Sequence, residues 1–438
     1  MSLLQVIHKK YLVAQYFFTL FKKALRKKAR RLTAACAFPI LEKTQKKFKK
    51  KYVMVLHEPD KHIFFGYYDV SPFNRAGNKV LALRTNHSLC SPDPSSSIDV
   101  GYFDISQSKH SAVFQKVASS RAWCWQQGCR LQWYPKKKAE QKIYFNTLEK
   151  GCYVGVIQDV VSGQILSATS TPLYDITTCG TKGLSLNFSR LQRLRPGYGY
   201  ASLPDSSEKE KIPDKDGVFF YDFASDNSEL LVSFEDMIQK GDLPDEWEEC
   251  EHYINHLMFN PSGTRFMFMH ILTNQYKRIT RLMVCNTDGS DLKFLSSVGK
   301  ASHNTWLDDD NLLSVCRESS KKKEMSYLVC DLQKQASSRI SPSLLTRDGH
   351  PTYFADKQHL VTDTYPGTFS CQELQIYSLA SNDFLLNESF VRNQKFAGEW
   401  RIDLHPRLSV DEQNICIDDE WQGYKAIKII DIKKAVDN

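Results

Sequence analysis

HPRLSVDEQNICIDD, residues 405–419, reads as an apolar strand, a polar turn at Asp411 and a second apolar strand, the pattern of a tight hairpin. Three upstream segments repeat it: HLMFNPSGTRFMFMH from His256, HNTWLDDDNLLSVCR from His303 and HPTYFADKQHLVTDT from His350. In each of the four, a histidine stands six residues before the turn residue, which is Ser262, Asp309, Asp356 or Asp411. Counting back from the proline before the turn, Tyr67 in YYDVSPFNRAGNKVLAL and Arg130 in RLQWYPKKKAEQKIYFN hold the same register. A further copy near residues 175–188 is blurred.

A second kind of hairpin follows each copy, with an apolar run, a polar turn and a shorter apolar run, as in IDVGYFDIS, RLMVCNTDGSDLKFL and AIKIIDIKK. Together they make seven units of two hairpins whose starts lie about 47 to 77 residues apart. Four short strands per unit at a period of roughly 50 residues is the signature of a propeller blade. The fold expected is all-β: a seven-bladed β-propeller over residues 52–438, preceded by an N-terminal basic amphipathic helical extension over 1–51. The last unit, ending at Ile430-Asp431-Ile432, lacks a fourth strand, whereas KYVMVL at 51–56 is a strand without a hairpin. Pairing the two closes the ring and hides both sheet edges, which would otherwise template aggregation.

Charge is unevenly placed along the 438 residues. Residues 1–51 hold fifteen of the 58 lysines and arginines and one of the 50 acids, so the remainder carries 43 bases against 49 acids and is mildly acidic. In the leader Leu4, Ile7, Tyr11, Ala14, Phe18, Phe21 and Leu25 fall on one helical stripe flanked by lysines and arginines. A helix of this kind suits an anionic membrane surface; a helix docked on the propeller or on a partner protein has the same pattern. No run reaches the roughly 18 apolar residues of a membrane span, and no cleavage site follows the apolar stretch. Twelve cysteines without a paired framework fit a reducing compartment. The expected location is therefore cytoplasmic, peripheral at the inner face of the membrane if the leader meets lipid. Nothing in the propeller interleaves bases with stacking aromatics, so nucleic acid is not an expected partner.

In a propeller the innermost strands line a central channel and their first residues cluster at one mouth. Histidines opening the innermost strands of four blades would meet there, and imidazole is the commonest ligand for first-row transition metals. A ring of solvated, hydrogen-bonded histidines is the plainer alternative. If residues 401–407 form a strand, Arg401, Asp403, His405 and Arg407 share a face, placing a carboxylate and two guanidinium groups beside the imidazoles. Arginine grips carboxylates in a bidentate fork, so these surroundings suit acidic substrates, and Arg130, with Arg193 or Arg195 in RLQRLRPGYGY, would add positive charge. The sequence holds no phosphate-binding glycine loop, dinucleotide fingerprint or nucleophile elbow.

Histidine-initiated inner strands, HP followed by an apolar strand and an Asp turn, resemble the oligogalacturonate lyase family of seven-bladed propellers, chiefly in blades five to seven. The resemblance implies a manganese ion held by three histidines and a glutamine, and cleavage of short galacturonides by β-elimination. Carried across, it implies His303 or His350 as one ligand and His405 as the last residue of a Gln-x-x-His-x-His cluster. Here Trp400 stands at the glutamine's place and Asp403 at the first histidine's. The ligand set expected is His303, His350, Asp403 and His405 around a divalent ion, Mn2+ foremost. His256 is then the expected base, Arg401 and Arg407 neutralise the substrate carboxylate, and Arg130 and Arg195 bind an acidic oligosaccharide or polysaccharide. The competing expectation is a non-catalytic propeller that binds a glycan or protein partner, held at a membrane through residues 1–51.

Overall fold

A computed structural model describes residues 53–436 apart from 107–111, 136–140, 242, 244, 246, 296, 297, 319–323, 368 and 369. The helix expected within 1–51 lies outside the described residues. Seven four-stranded antiparallel sheets follow one another along the chain. In the fourth blade, for example, Glu251–Phe259 is followed outward by Arg265–Thr273, Arg278–Asn286 and Lys293–Phe294.

Burial explains the composition of each strand. Second strands such as Lys79–Thr85 and Asn311–Arg317 are covered on both faces by the neighbouring blades and read as nearly unbroken apolar runs. Outermost strands such as Ile165–Thr169 and Ala336–Ile340 face solvent and are polar or short.

The ring closes as the terminal strands predict. Val53–Leu56 pairs antiparallel with Tyr424–Asp431, from Val53 opposite Ile430 to Leu56 opposite Ile427, and is the outermost strand of the seventh blade. That blade is thus built from both ends of the described chain.

The blurred third unit is a complete blade carrying an insertion. Its inner hairpin, Asp175–Ile176 and Lys182–Ser185, is separated from Gly217–Asp222 by the helix Phe188–Leu194 and a long loop. Asn187 caps the helix by accepting from the Arg190 N–H. The Arg190 side chain, fully buried, donates to the carbonyls of His252, Glu210 and Lys211 and so ties the insertion to the fourth blade. Residues 195–198, directly after the helix, overhang the channel mouth. Between the third and fourth blades lie a short helix, Phe234–Ile238, closed by a capping box of Ser233 and Asp236, and a single 3-10 turn at Trp247–Glu249. No helix among the described residues is long and apolar enough to cross a membrane.

Candidate metal centre and cleft

The register shared by the four histidines corresponds to an interruption of the innermost strands. His350 and His405 lie just before the short inner strands Thr352–Tyr353 and Arg407–Leu408. His256 and His303 stand inside theirs, next to register shifts between Asn255 and Met258 and between Ala301 and His303. Where the ladder breaks, a side chain is turned out of the pleat and toward the channel. His256 and His405 reach this orientation with φ of 56° and 46°, a region non-glycine residues rarely occupy. Side chains hold both: the His256 N–H donates to Asn255 Oδ1 at 2.9 Å, and the His405 N–H to Asp363 Oδ2 at 3.0 Å.

The four imidazoles converge. Ring centroids of His303 and His350 are 4.0 Å apart, those of His350 and His405 4.3 Å, and those of His256 and His303 6.4 Å. Tyr67, at the same register in the first blade, stands among them, 5.0 Å from His256 and 4.9 Å from His405.

His350, Asp403 and His405 form the tightest group, each offering a donor atom within 4.8 Å of the others. His350 Nε2, His405 Nε2 and Asp403 Oδ1 are all buried and have no hydrogen-bond partner. Their other atoms are fully engaged. His350 Nδ1 is bonded to Asp363 Oδ1 at 2.7 Å, His405 Nδ1 to the Gly66 carbonyl at 2.8 Å, and Asp403 Oδ2 to Arg401 Nε at 2.6 Å. Since carboxylate and carbonyl oxygens only accept, both Nδ1 atoms carry protons, and in the neutral rings both lone pairs sit on Nε2. Gly66 is needed where it stands: its φ is 136°, and a Cβ would lie 3.1 Å from the Gln127 carbonyl carbon.

Three buried donor atoms without partners, all within 4.8 Å of one another, are costly to a protein unless a cation joins them. Imidazole nitrogens anchored from behind by carboxylate and carbonyl, plus one carboxylate oxygen, make the usual donor set for Mn2+, Fe2+ or Zn2+. The residues present fit a divalent ion. Electrostatics suits two of the three donors as they stand and sets the third in competition with a proton. Burial pushes Asp403 up, but Arg401 and His350 outweigh it, so its carboxyl stays below the ordinary carboxylate range and charged. Burial pulls His350 down, and the Asp363 carboxylate more than compensates, so without an ion this ring favours a second proton, which a divalent ion has to displace from Nε2. Burial, helped by the nearby charges of His350 and Arg407, keeps His405 neutral, as a ligand must be.

The other predicted residues are distributed as follows. His303 touches His350 but stands apart from the three donors: its Nδ1 is bonded to Asp348 Oδ1 at 3.0 Å, Asp348 Oδ2 accepts from Ser302, and the ring lines the adjoining cleft. His256 also lines the cleft, and its Nε2 is 3.1 Å from Asn255 Nδ2. Asn255 is oriented by the His256 N–H on its oxygen, so its amide must donate to Nε2, which leaves the His256 proton on Nδ1. Arg401 and Arg195 line the cleft.

Arg407 and Arg130 do not share its wall. The segment before Arg407 is not a strand, so the alternation expected from Arg401 to Arg407 fails. Arg407 turns inward and donates to Asp418 at 3.1 Å and to the Gly66 carbonyl. Arg130 is buried in a forked pair with Asp69 at 3.0 and 3.1 Å and lies over the Tyr174 ring. Arg130 is held by Asp69 and Tyr174, and Arg407 is tied through Nη1 while its Nε and Nη2 are buried without partners; neither lines the cleft.

The cleft encloses about 600 Å³; His256 and His303 line it, and Arg401 on its wall links it to Asp403. The 195–198 loop and residues 398–401 roof it, joined where the Tyr198 hydroxyl accepts from Arg401 Nη2 at 2.6 Å. Arg278, Lys300 and Arg317 lie along the far wall. Burial, with the charges of Arg278 and Arg317, lowers the Lys300 ammonium, and Asp348 only partly offsets it. Sequence reasoning missed these three. They sit at strand ends, where a basic residue usually means only a solvated edge, and no motif distinguishes them.

No family model and no curated protein sequence matches this chain. Among solved structures, an oligogalacturonate lyase in complex with manganese aligns over 88% of this chain and 94% of its own, with a TM-score of 0.60 and 12% sequence identity. Oligogalacturonate lyase from Vibrio parahaemolyticus aligns over 86% and 93%, with a TM-score of 0.56 and 12% identity. TolB from Acinetobacter baumannii aligns over 71% and 63%, with a TM-score of 0.37 and 14% identity. Identity this low speaks to the seven-bladed fold, and the chemistry has to be argued from the side chains.

Proposed function

We propose that this protein is a divalent-metal-dependent lyase that cleaves acidic saccharides by β-elimination at the channel mouth. The observation that carries the reading is the trio of buried, unpartnered donor atoms on His350, Asp403 and His405. The cationic cleft beside it and the likeness of fold to oligogalacturonate lyases, one of them a manganese complex, support the same reading.

Elimination removes the proton α to a carboxylate, breaks the β carbon–oxygen bond and leaves a double bond conjugated to the carboxylate. The departing oxygen takes up a proton. The α proton is acidic enough only if the carboxylate charge is neutralised; a bound divalent ion supplies that chemistry as a Lewis acid. Arg278, Lys300 and Arg317 along the cleft bind and orient the anionic sugar, while Arg401, engaged by Asp403, Tyr198 and the Gly398 carbonyl, adds its charge from the wall. For the base, the geometry favours His303 over His256. The carboxylate of Asp348 fixes the His303 proton on Nδ1, so its Nε2 lone pair is available at the cleft. Burial and the neighbouring charge of His350 lower that ring, keeping it neutral. The Nε2 of His256 already accepts from Asn255.

The test joins elemental analysis of the full chain, purified without added metal, to ultraviolet detection of the unsaturated product from oligogalacturonate. One equivalent of a divalent ion and product formation are expected. His405→Ala should lose both, whereas His303→Ala should keep the ion and lose about 10²–10⁴-fold in rate. Protein with stoichiometric metal absent and no unsaturated product would instead be a glycan- or protein-binding propeller.

A further inference from the structure

Tyr67 belongs to no part of the reading so far, yet it occupies the centre of the site. It holds in the first blade the register that the histidines hold in the fourth to seventh, following the inner strand His62–Phe64. Its ring contacts all four imidazoles, at centroid distances of 5.0 Å to His256, 6.5 Å to His303, 6.0 Å to His350 and 4.9 Å to His405.

Its hydroxyl is the anomaly. Tyr67 is 4% exposed, and its Oη is buried without a hydrogen-bond partner. The adjacent Tyr68 shows the ordinary arrangement: its hydroxyl donates to the Asn304 carbonyl at 2.7 Å and accepts from the Asn304 N–H at 2.9 Å. A phenol that served packing alone would be served equally by phenylalanine, without the cost of stripping a hydroxyl of water. His350 and His405, the two rings with unpartnered Nε2 atoms, both neighbour the Tyr67 ring, crossing it at 80° and 66°. Three protein donors also leave a first-row ion short of the four or more ligands it ordinarily takes.

We propose that the Tyr67 phenol oxygen is a further protein ligand of the metal centre, binding as phenolate and releasing its proton to the buffer. This inference rests on the metal reading of His350, Asp403 and His405. A hard anionic oxygen added to that of Asp403 biases the site toward Mn2+ and iron over softer ions and brings the first blade into a centre otherwise built from the sixth and seventh.

Ferric ion is the probe, because an iron(III) phenolate gives a charge-transfer band in the visible that imidazole and carboxylate ligands do not. The full chain and Tyr67→Phe would be loaded with one equivalent of ferric ion and compared by absorption spectroscopy, with bound iron measured separately. The expected result is a visible band in the parent chain, its absence in Tyr67→Phe, and binding weaker by about tenfold or more. The variant without metal should melt no lower than the parent, since it loses only an unpartnered hydroxyl, so a missing band would not be a folding defect. Iron bound by the parent without the band, or a band that survives in Tyr67→Phe, overturns the assignment of Tyr67 and leaves the metal centre standing. No uptake of ferric or manganous ion by the parent overturns both.

Discussion

At the scale of single residues, Asp363 shows how much of the centre lies behind its ligands. One carboxylate oxygen holds the His350 ring at Nδ1 and its backbone N–H at 2.8 Å, and the other receives the His405 N–H at 3.0 Å. One side chain therefore orients the His350 ring and fixes the backbone that carries His405, whose own ring is held by the Gly66 carbonyl. Asp363→Asn would turn an amide N–H toward one of these donors, placing donor against donor. The expected loss is about 10- to 100-fold in affinity for Mn2+, read by calorimetry, with all three donor residues intact. Unchanged affinity would mean that Asp363 is not what positions the two donors. The Asp turn and hairpin pattern made the histidines legible. Asp363 was not, because its role depends on the register Asp363 opposite Leu374 and on a neighbouring blade, neither of which is written in local sequence.

At the scale of elements, the ring closes through a strand four residues long. Val53–Leu56 lies against Tyr424–Asp431, and Leu56, 1% exposed, belongs to the apolar cluster shared with the first blade. Leu56→Ala is expected to cost about 2–4 kcal/mol, measured by urea unfolding, because the cavity forms where the first and last blades must hold each other. Loss of well under 1 kcal/mol would show that the closing strand is not what secures the ring. This element was legible from arithmetic on the repeats, one strand short at the end and one in excess at the start. The third blade was not, since its helix and insertion interrupt the pattern between Lys182–Ser185 and Gly217–Asp222.

At the scale of the whole molecule, folding is linked to protons through a buried chain in the fourth blade. Arg281, which can only donate, is 3.2 Å from His270 Nδ1; His270 Nε2 then donates to His252 Nδ1 at 3.0 Å, and His252 Nε2 to the Trp247 carbonyl at 3.3 Å. An added proton has no place in that sequence. Burial, only partly offset by the Trp247 carbonyl and reinforced by Arg190 and Arg281, lowers His252 to about 4, and burial holds His270 well below its ordinary value. Both stay neutral in the folded protein while the unfolded chain protonates below about pH 6.5, so their contribution is complete above that pH and fades as pH falls toward 4. Between about pH 7.5 and about pH 5, unfolding free energy should fall by roughly 2 kcal/mol from His252 alone. A urea midpoint unmoved across that window would refute the linkage. Taken by itself, the sequence determined the blade count, the closing strand and the meeting of four histidines, because a repeat fixes where each unit's inner strand must lie. Only the tertiary structure decided which atoms are left without partners, which arginines are locked in ion pairs, and which histidine has a free lone pair. Those properties depend on partners from other blades, such as Asp69 for Arg130, Asp348 for His303 and Asp363 for His350 and His405, and sequence separation carries no record of such pairings.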